Sequence, residues 1–210
     1  MTREQYLDKL GQFGVRLEPW QIVTSSIAAA LYLAQRFPDG GPVYIVGENG
    51  LEQALKEKNF TLSEEKALAV LVGMDRQLTY QKLKIAVQLI RGGSLFIATN
   101  TDRTFPISDG VAPGAGALVA AIETAADVKP VVVGKPSPTL YEIALANMGI
   151  KPEETLVVGD RLETDITGGK KLGCRTALVL SGVTSDDQVR NGPLRPDFVT
   201  ADLASIVLSV

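Results

Sequence analysis

Residues 131–138 read VVVGKPSP and residues 157–165 read VVGDRLETD. In each, a β-branched run stops at a glycine and gives way to polar residues and then a helical pattern, which predicts a strand entering a strand-to-helix turn. The same phrase recurs outward from these two, at Val43 to Gly47, Leu68 to Gly73, Leu95 to Asn100 and Ala177 to Gly182. Runs that are apolar on both faces and separated by helical stretches predict parallel strands covered on both sides, so the fold class is α/β. Thr2 and Gln5 have capping-box spacing, and Tyr6, Leu7, Leu10 and Phe13 form one apolar stripe ending at Gly14, which predicts a first helix. Ser25 or Ser26 is expected to cap a second, Ala-rich helix that breaks between Pro38 and Gly41. Pro106 to Pro113 reads as the longest irregular stretch, an exposed loop near a binding cleft.

The 210 residues carry 45% hydrophobic and 21% charged side chains, the balance of an ordinary globular chain. At this length about 70% of the extended-chain surface can be buried, so no disulfide or metal staple is needed. A net charge of -3 gives no overall attraction for nucleic acid or anionic lipid. The chain has no histidine, which excludes Ser-His-Asp and Cys-His catalysis and histidine-ligated zinc. The single Cys174 excludes an intramolecular disulfide and fits a reducing compartment, so a cytoplasmic location is expected. Met1 is followed by a charged stretch and no apolar run approaches 18 residues, so neither a signal peptide nor a transmembrane helix is expected.

Open parallel sheets bind ligands outside the carboxyl ends of their strands. The polar residues there are Glu48, Asn49, Asp75, Arg76, Asn100, Asp102, Lys135, Asp160, Arg161 and Asp165. Lys135 follows a strand directly, and Asp160 and Asp165 bracket a later strand-to-helix turn. A lysine and two carboxylates at strand ends suit a hard cation and a phosphate, since magnesium takes oxygen ligands and lysine supplies a point charge. A helix opening after Asp165 would add partial positive charge. Taken singly, Asp165 reads equally as a helix cap and Lys135 as a solvated lysine. Gly114-Ala115-Gly116 matches only part of a dinucleotide fingerprint, with Val119 at the third small position, and reads better as a glycine-softened helix start. Thr24, Ser25 and Ser26 read as helix caps. Arg175, Lys170 and Lys171 read as a solvated helix end.

VVVGKPSP, VVGDRLETD and LVLSGVT at 178–184 together resemble the haloacid dehalogenase (HAD) superfamily, in its type IIA, 4-nitrophenylphosphatase or NagD-like branch. The resemblance extends to VTSS at 23–26, VYIVGENG at 43–50, ATNTDRTFP and PGAGALVAAIE. It implies a three-layer, Rossmannoid parallel-sheet core with a smaller α/β cap inserted between the second and third motifs. The core is expected at 1–66 and 131–210 and the cap at 67–130. The implied chemistry is magnesium-dependent hydrolysis of a small phosphorylated metabolite through an aspartyl-phosphate. Lys135 would steady the nucleophile and phosphoryl group, Asp160 would ligate Mg2+, and Asp165 would support the metal's surroundings through water or through contacts with its ligands. Asn100 and Asp102, in the cap turn, would face the substrate, although Thr101 stands where the family usually has proline. No nucleic-acid or membrane partner is implied, and a homo-oligomer is a possible assembly.

The family's first motif, DxDG, supplies the nucleophile and the general acid and base, yet these 210 residues contain no D-x-D tripeptide. Its second motif, TNN-like, would precede the helix at Thr2. The expectation is a core truncated at its N-terminus, inactive alone, with unpaired strand edges. A non-catalytic phosphate- or metal-binding or assembly module is the alternative, and a nucleotide-binding oxidoreductase fragment a weaker one.

Overall fold

The computed structural model describes residues 1–207. The backbone forms two compact units, Met1–Gly134 and Lys135–Val210.

In the first unit, five parallel strands make one sheet: β1 (Gly41–Val46), β2 (Phe60–Leu62), β3 (Ala69–Val72), β4 (Leu95–Ala98) and β7 (Val131–Val132). Their order is β2-β1-β3-β4-β7, with the winding reversing between β1 and β3. Side chains alternate across this sheet with the period of two that a strand imposes. Val43, Ala69, Leu71 and Ile97 face one side and pack with Ala29, Ala30 and Leu33 of α2 (Ser25–Arg36) and Leu51, Ala54 and Leu55 of α3 (Asn49–Lys56). Tyr44, Val46, Val70, Val72, Phe96 and Ala98 face the other. They pack with Ile85, Ala86 and Ile90 of α4 (Tyr80–Arg91) and Leu118, Val119 and Ile122 of α5 (Ala115–Ala126). The unit is thus a three-layer α/β sandwich, and β3 is buried along its whole length, as its runs of Val and Leu require. The helix α1 (Arg3–Gln12) is held by the expected box, with Gln5 N–H donating to Thr2 Oγ1 and Thr2 N–H to Gln5 Oε1. Thr24, rather than Ser25 or Ser26, caps α2.

In the second unit, β8 (Leu156–Gly159), β9 (Arg175–Val179) and β10 (Phe198–Thr200) form a parallel sheet in the order β10-β9-β8. With it go α6 (Thr139–Met148), α7 (Thr167–Lys171), α8 (Asp186–Asn191) and α9 (Leu203–Val207). Its apolar centre is Leu162, Ile166, Leu178 and Val189. No helix among the described residues is long and apolar enough to cross a membrane.

Two expectations differ from this backbone. The division at 66/67 falls between strands that pair: β1 binds β3 in register, Val43 opposite Ala69. The polar run at 63–66 looks like a boundary, but it is a connection pinned to β1 by Ser63 N–H to Val43 O at 2.9 Å and Leu68 N–H to Pro42 O at 2.8 Å. The stretch expected as a loop is an antiparallel hairpin, β5 (Thr104–Ile107) and β6 (Gly110–Pro113). Its prolines argue against a strand by pattern, but each strand of a two-stranded ribbon has an outer edge where a missing N–H costs little.

Candidate active site

The end of β8 organises the second unit. After Gly159 the chain passes Asp160 and Arg161 into a π-helical turn, Leu162–Ile166, which runs into α7. Asp165 lies inside that turn and is buried. Its Oδ2 accepts the Arg161 N–H at 3.1 Å, and its Oδ1 accepts a hydrogen bond from the Lys135 ammonium at 2.7 Å. The Asp165 side chain is 9% exposed and that of Lys135 43%, so the carboxylate is sealed while the ammonium keeps access to solvent and to an incoming anion. A Cβ at Gly159 would overlap the Asp165 side chain, so only glycine lets the strand end beside this carboxylate.

Asp160 is held differently. Its Oδ2 accepts the Val183 N–H at 3.0 Å, its carbonyl accepts the Thr184 N–H at 3.1 Å, and Thr184 Oγ1 accepts the Leu162 N–H at 3.4 Å. A Cβ at Gly182 would overlap the Asp160 carboxylate. The stretch 182–184 is therefore a clasp on Asp160, which accounts for the SGVT sequence after β9. Asp160 Oδ1 has no hydrogen bond among the described residues.

These are hard oxygen donors. Magnesium is usually held by one or two carboxylates with water and phosphate oxygens completing its octahedron, and the free oxygen of Asp160 fits that role. Both oxygens of Asp165 are already engaged. No group of three or more carboxylate, cysteine or histidine side chains gathers among the described residues. The helix expected to open after Asp165 opens instead at Leu162, because the π-helical turn continues without a break into α7, and Asp165 lies inside it rather than before its N-terminus.

Tyr141, on α6, was not singled out by sequence reading. Its hydroxyl donates to the Asp165 carbonyl at 3.2 Å. Burial, then the neighbouring Asp165 charge, then Cys174 push the phenol well above its ordinary value, so it stays protonated and acts as a donor. The signal that could have found it is Gly168, where a Cβ would overlap the Tyr141 ring. Burial pushes the Cys174 thiol up, which keeps it from serving as a thiolate nucleophile.

Asn100 and Asp102 belong to the first unit, in the turn after β4. Asn100 lines a cavity of about 190 Å³ with Gly47 and Glu48 after β1, Gly73 and Met74 after β3, and Ser25 and Ser26 at the start of α2. That is the carboxyl end of the sheet where its winding reverses, the position at which such sheets bind ligands. Asn100 Oδ1 is buried there without a hydrogen-bond partner. The Asp102 carbonyl accepts the Gly116 N–H at 2.9 Å, and a Cβ at Gly114 or Gly116 would overlap the 101–102 backbone. The glycines of PGAG thus serve close packing of this turn against α5, as the structural reading of that motif held. Glu48, at the same sheet end, is held below the usual carboxylate range by hydrogen bonds from Arg76 at 2.7 and 2.9 Å.

Comparison with known proteins assigns this arrangement to a class of hydrolases. Residues 1–61 match the family model described as haloacid dehalogenase-like hydrolase, and residues 132–206 match the HAD-hydrolase-like model. The 5'-nucleotidase YutF of Bacillus subtilis is 38% identical over 195 residues, covering 93% of this chain and 76% of that protein. The p-nitrophenyl phosphatase from Archaeoglobus fulgidus superposes with a TM-score of 0.93 at 32% identity, covering 100% of this chain and 82% of the other. NagD from Escherichia coli K-12 gives 0.88 at 35% identity, covering 97% and 80%. The chain belongs to the haloacid dehalogenase superfamily, in its type IIA, NagD-like branch.

Proposed function

We propose that Lys135, Asp160 and Asp165 form the lysine and metal-binding half of a magnesium-dependent phosphomonoesterase site. The observation that carries this is the buried Asp165 holding the half-exposed Lys135 ammonium at the end of a parallel strand whose next residue, Asp160, offers a free carboxylate oxygen. The relatives' names, a 5'-nucleotidase and a p-nitrophenyl phosphatase, support phosphate-ester hydrolysis as the reaction class. In this reading Lys135 neutralises phosphoryl oxygens as charge develops, and Asp160 is the carboxylate that would hold Mg2+. Magnesium, when bound, supplies further charge neutralisation at the phosphoryl group. Asp165 stays in the metal's outer surroundings and orients the lysine. The five-stranded unit, preceding the third motif, is the cap, and Asn100 with Asp102 contributes to choosing a small phosphorylated metabolite.

Hydrolysis also needs a carboxylate that attacks phosphorus as the leaving alkoxide takes a proton, and then a water that releases phosphate from the aspartyl ester. The 210 residues contain no D-x-D tripeptide to supply it. Supplying a DxDG- and TNN-bearing segment, fused or as a separate polypeptide, should produce magnesium-dependent hydrolysis of 4-nitrophenyl phosphate. The 210 residues alone should stay at buffer background. Turnover by the 210 residues that survives Lys135→Ala and Asp160→Asn would refute the assignment. The alternative reading is a non-catalytic phosphate- or metal-binding or assembly module. Magnesium binding that persists while the supplemented protein stays inactive would select it.

A further inference from the structure

We propose that Tyr141 is a positioning residue for the Lys135–Asp165 pair, its hydroxyl fixing the main chain of the π-helical turn so that the Asp165 carboxylate meets the lysine ammonium. The phosphatase reading enters only in the use to which the pair is put.

A π-helical turn is rarely stable on its own propensity and is found mostly at functional positions, so something must hold it. Two side-chain hydroxyls donate to carbonyls of this turn, and a third, Thr184 Oγ1, accepts the Leu162 N–H at 3.4 Å. Tyr141 donates to the Asp165 carbonyl at 3.2 Å, and Thr167 Oγ1 donates to the Leu162 carbonyl at 2.9 Å. Asp165 is thereby fixed at four atoms. Its N–H donates to Arg161 O at 3.0 Å, its carbonyl accepts Tyr141, and its two carboxylate oxygens accept Arg161 N–H and Lys135. Of these anchors, Lys135 and Tyr141 reach in from outside the turn, Lys135 to the carboxylate and Tyr141 to the main chain. Tyr141 stands on α6, which begins at Thr139, four residues after Lys135, so the helix that follows the lysine also carries the hydroxyl that holds the carboxylate's turn. The ring is 9% exposed and lies against Gly168, whose missing side chain makes room for it. The fit is therefore built from both sides, and the phenol oxygen has a defined target rather than a general polar surrounding. Bulk and hydroxyl can be separated, because Tyr141→Phe keeps the ring against Gly168 and removes only the donor.

The test measures acylation of individual lysines of the 210-residue chain by limiting acetic anhydride, read peptide by peptide by mass spectrometry. Lys170, ion-paired with Asp197 at 3.2 Å in the same unit, is the internal reference. Asp165→Asn sets the rate for an unpaired Lys135. In Tyr141→Phe, Lys135 acylation should rise about 5- to 10-fold while Lys170 is unchanged, the scale of one lost hydrogen bond. Hydrogen exchange at the Arg161 amide should accelerate by a similar factor. An unchanged Lys135 rate overturns the proposal. A rise shared equally by Lys170 also overturns it, because the hydroxyl would then serve the stability of the unit and not the pair. No turnover is needed, so failure of the phosphatase reading would leave this outcome legible.

Discussion

Gly159 and Gly182 decide where two carboxylates can stand. Each lies beside an aspartate whose side chain fills the space a Cβ would need, Asp165 in one case and Asp160 in the other. Gly159→Ala should therefore cost about 1 to 3 kcal/mol in urea unfolding, the usual penalty of forcing an extra carbon into a filled site. Gly149→Ala is a useful contrast, since nothing lies within 4 Å of its Cβ and its penalty would come from a φ of +66°. Asp197 supplies a pH-dependent residue of a different kind. Hydrogen bonds from the Thr176 hydroxyl and N–H, both at 2.8 Å, then Lys170, hold its carboxyl below the usual range. A depressed folded-state value means that the stabilisation is complete above the ordinary aspartate value near ~3.9 and is lost as pH falls through the lower folded value. Thermal melts of Asp197→Asn should accordingly fall below wild type at neutral pH and converge with it in strong acid. At this scale the sequence made Lys135, Asp160 and Asp165 visible as strand-end polar residues. It could not show that Lys135 and Asp165 pair, because the contact joins residues 30 apart and depends on a turn type that no local pattern specifies.

The elements show where periodicity carries a prediction and where it fails. The strands at Val43, Leu68, Leu95, Val131, Leu156 and Ala177 were legible because each is an unbroken apolar run, and all six form with parallel pairing. Short elements with mixed composition were not: β2 and β10 have three residues each, and β5 and β6 contain prolines. The domain boundary was misplaced for a related reason. Polarity marks the 63–66 connection, but only the registration of β1 against β3 shows that the chain returns to the same sheet. Leu71, fully buried in β3 between that pairing and β4, is the place to measure how much this sheet holds together. Leu71→Ala should cost about 2 to 5 kcal/mol by chemical denaturation, transfer and cavity terms included. A cost below 1 kcal/mol would mean that the site collapses freely and that the layer is less tightly packed than its complete burial implies.

On the scale of the whole molecule both sheets end in strands paired on one side only among the described residues, β2 and β7 in the five-stranded sheet, and β10 and β8, the strand that leads to Asp160, in the other. Leu156 and Val158 on β8 are 40% and 37% exposed, and Phe198 and Val199 on β10 are both 42% exposed. An open edge beside apolar side chains is a template for another strand, and unsatisfied backbone groups that become buried cost about 1 to 3 kcal/mol each. The 210-residue chain should therefore associate with rising concentration in sedimentation velocity, and its melt should be broad. On the proposed reading a DxDG-bearing segment would lay a strand along β8, and adding one should then suppress association and sharpen the transition. The same addition should bring a carboxylate to the sheet end where Lys135 and Asp160 already stand, so recovery of solubility and of turnover should titrate together with the amount of segment added. Relief of association without turnover would separate the structural role of that strand from its chemistry. A monodisperse monomer with a sharp melt, unaffected by the segment, would show that β8 needs no further partner.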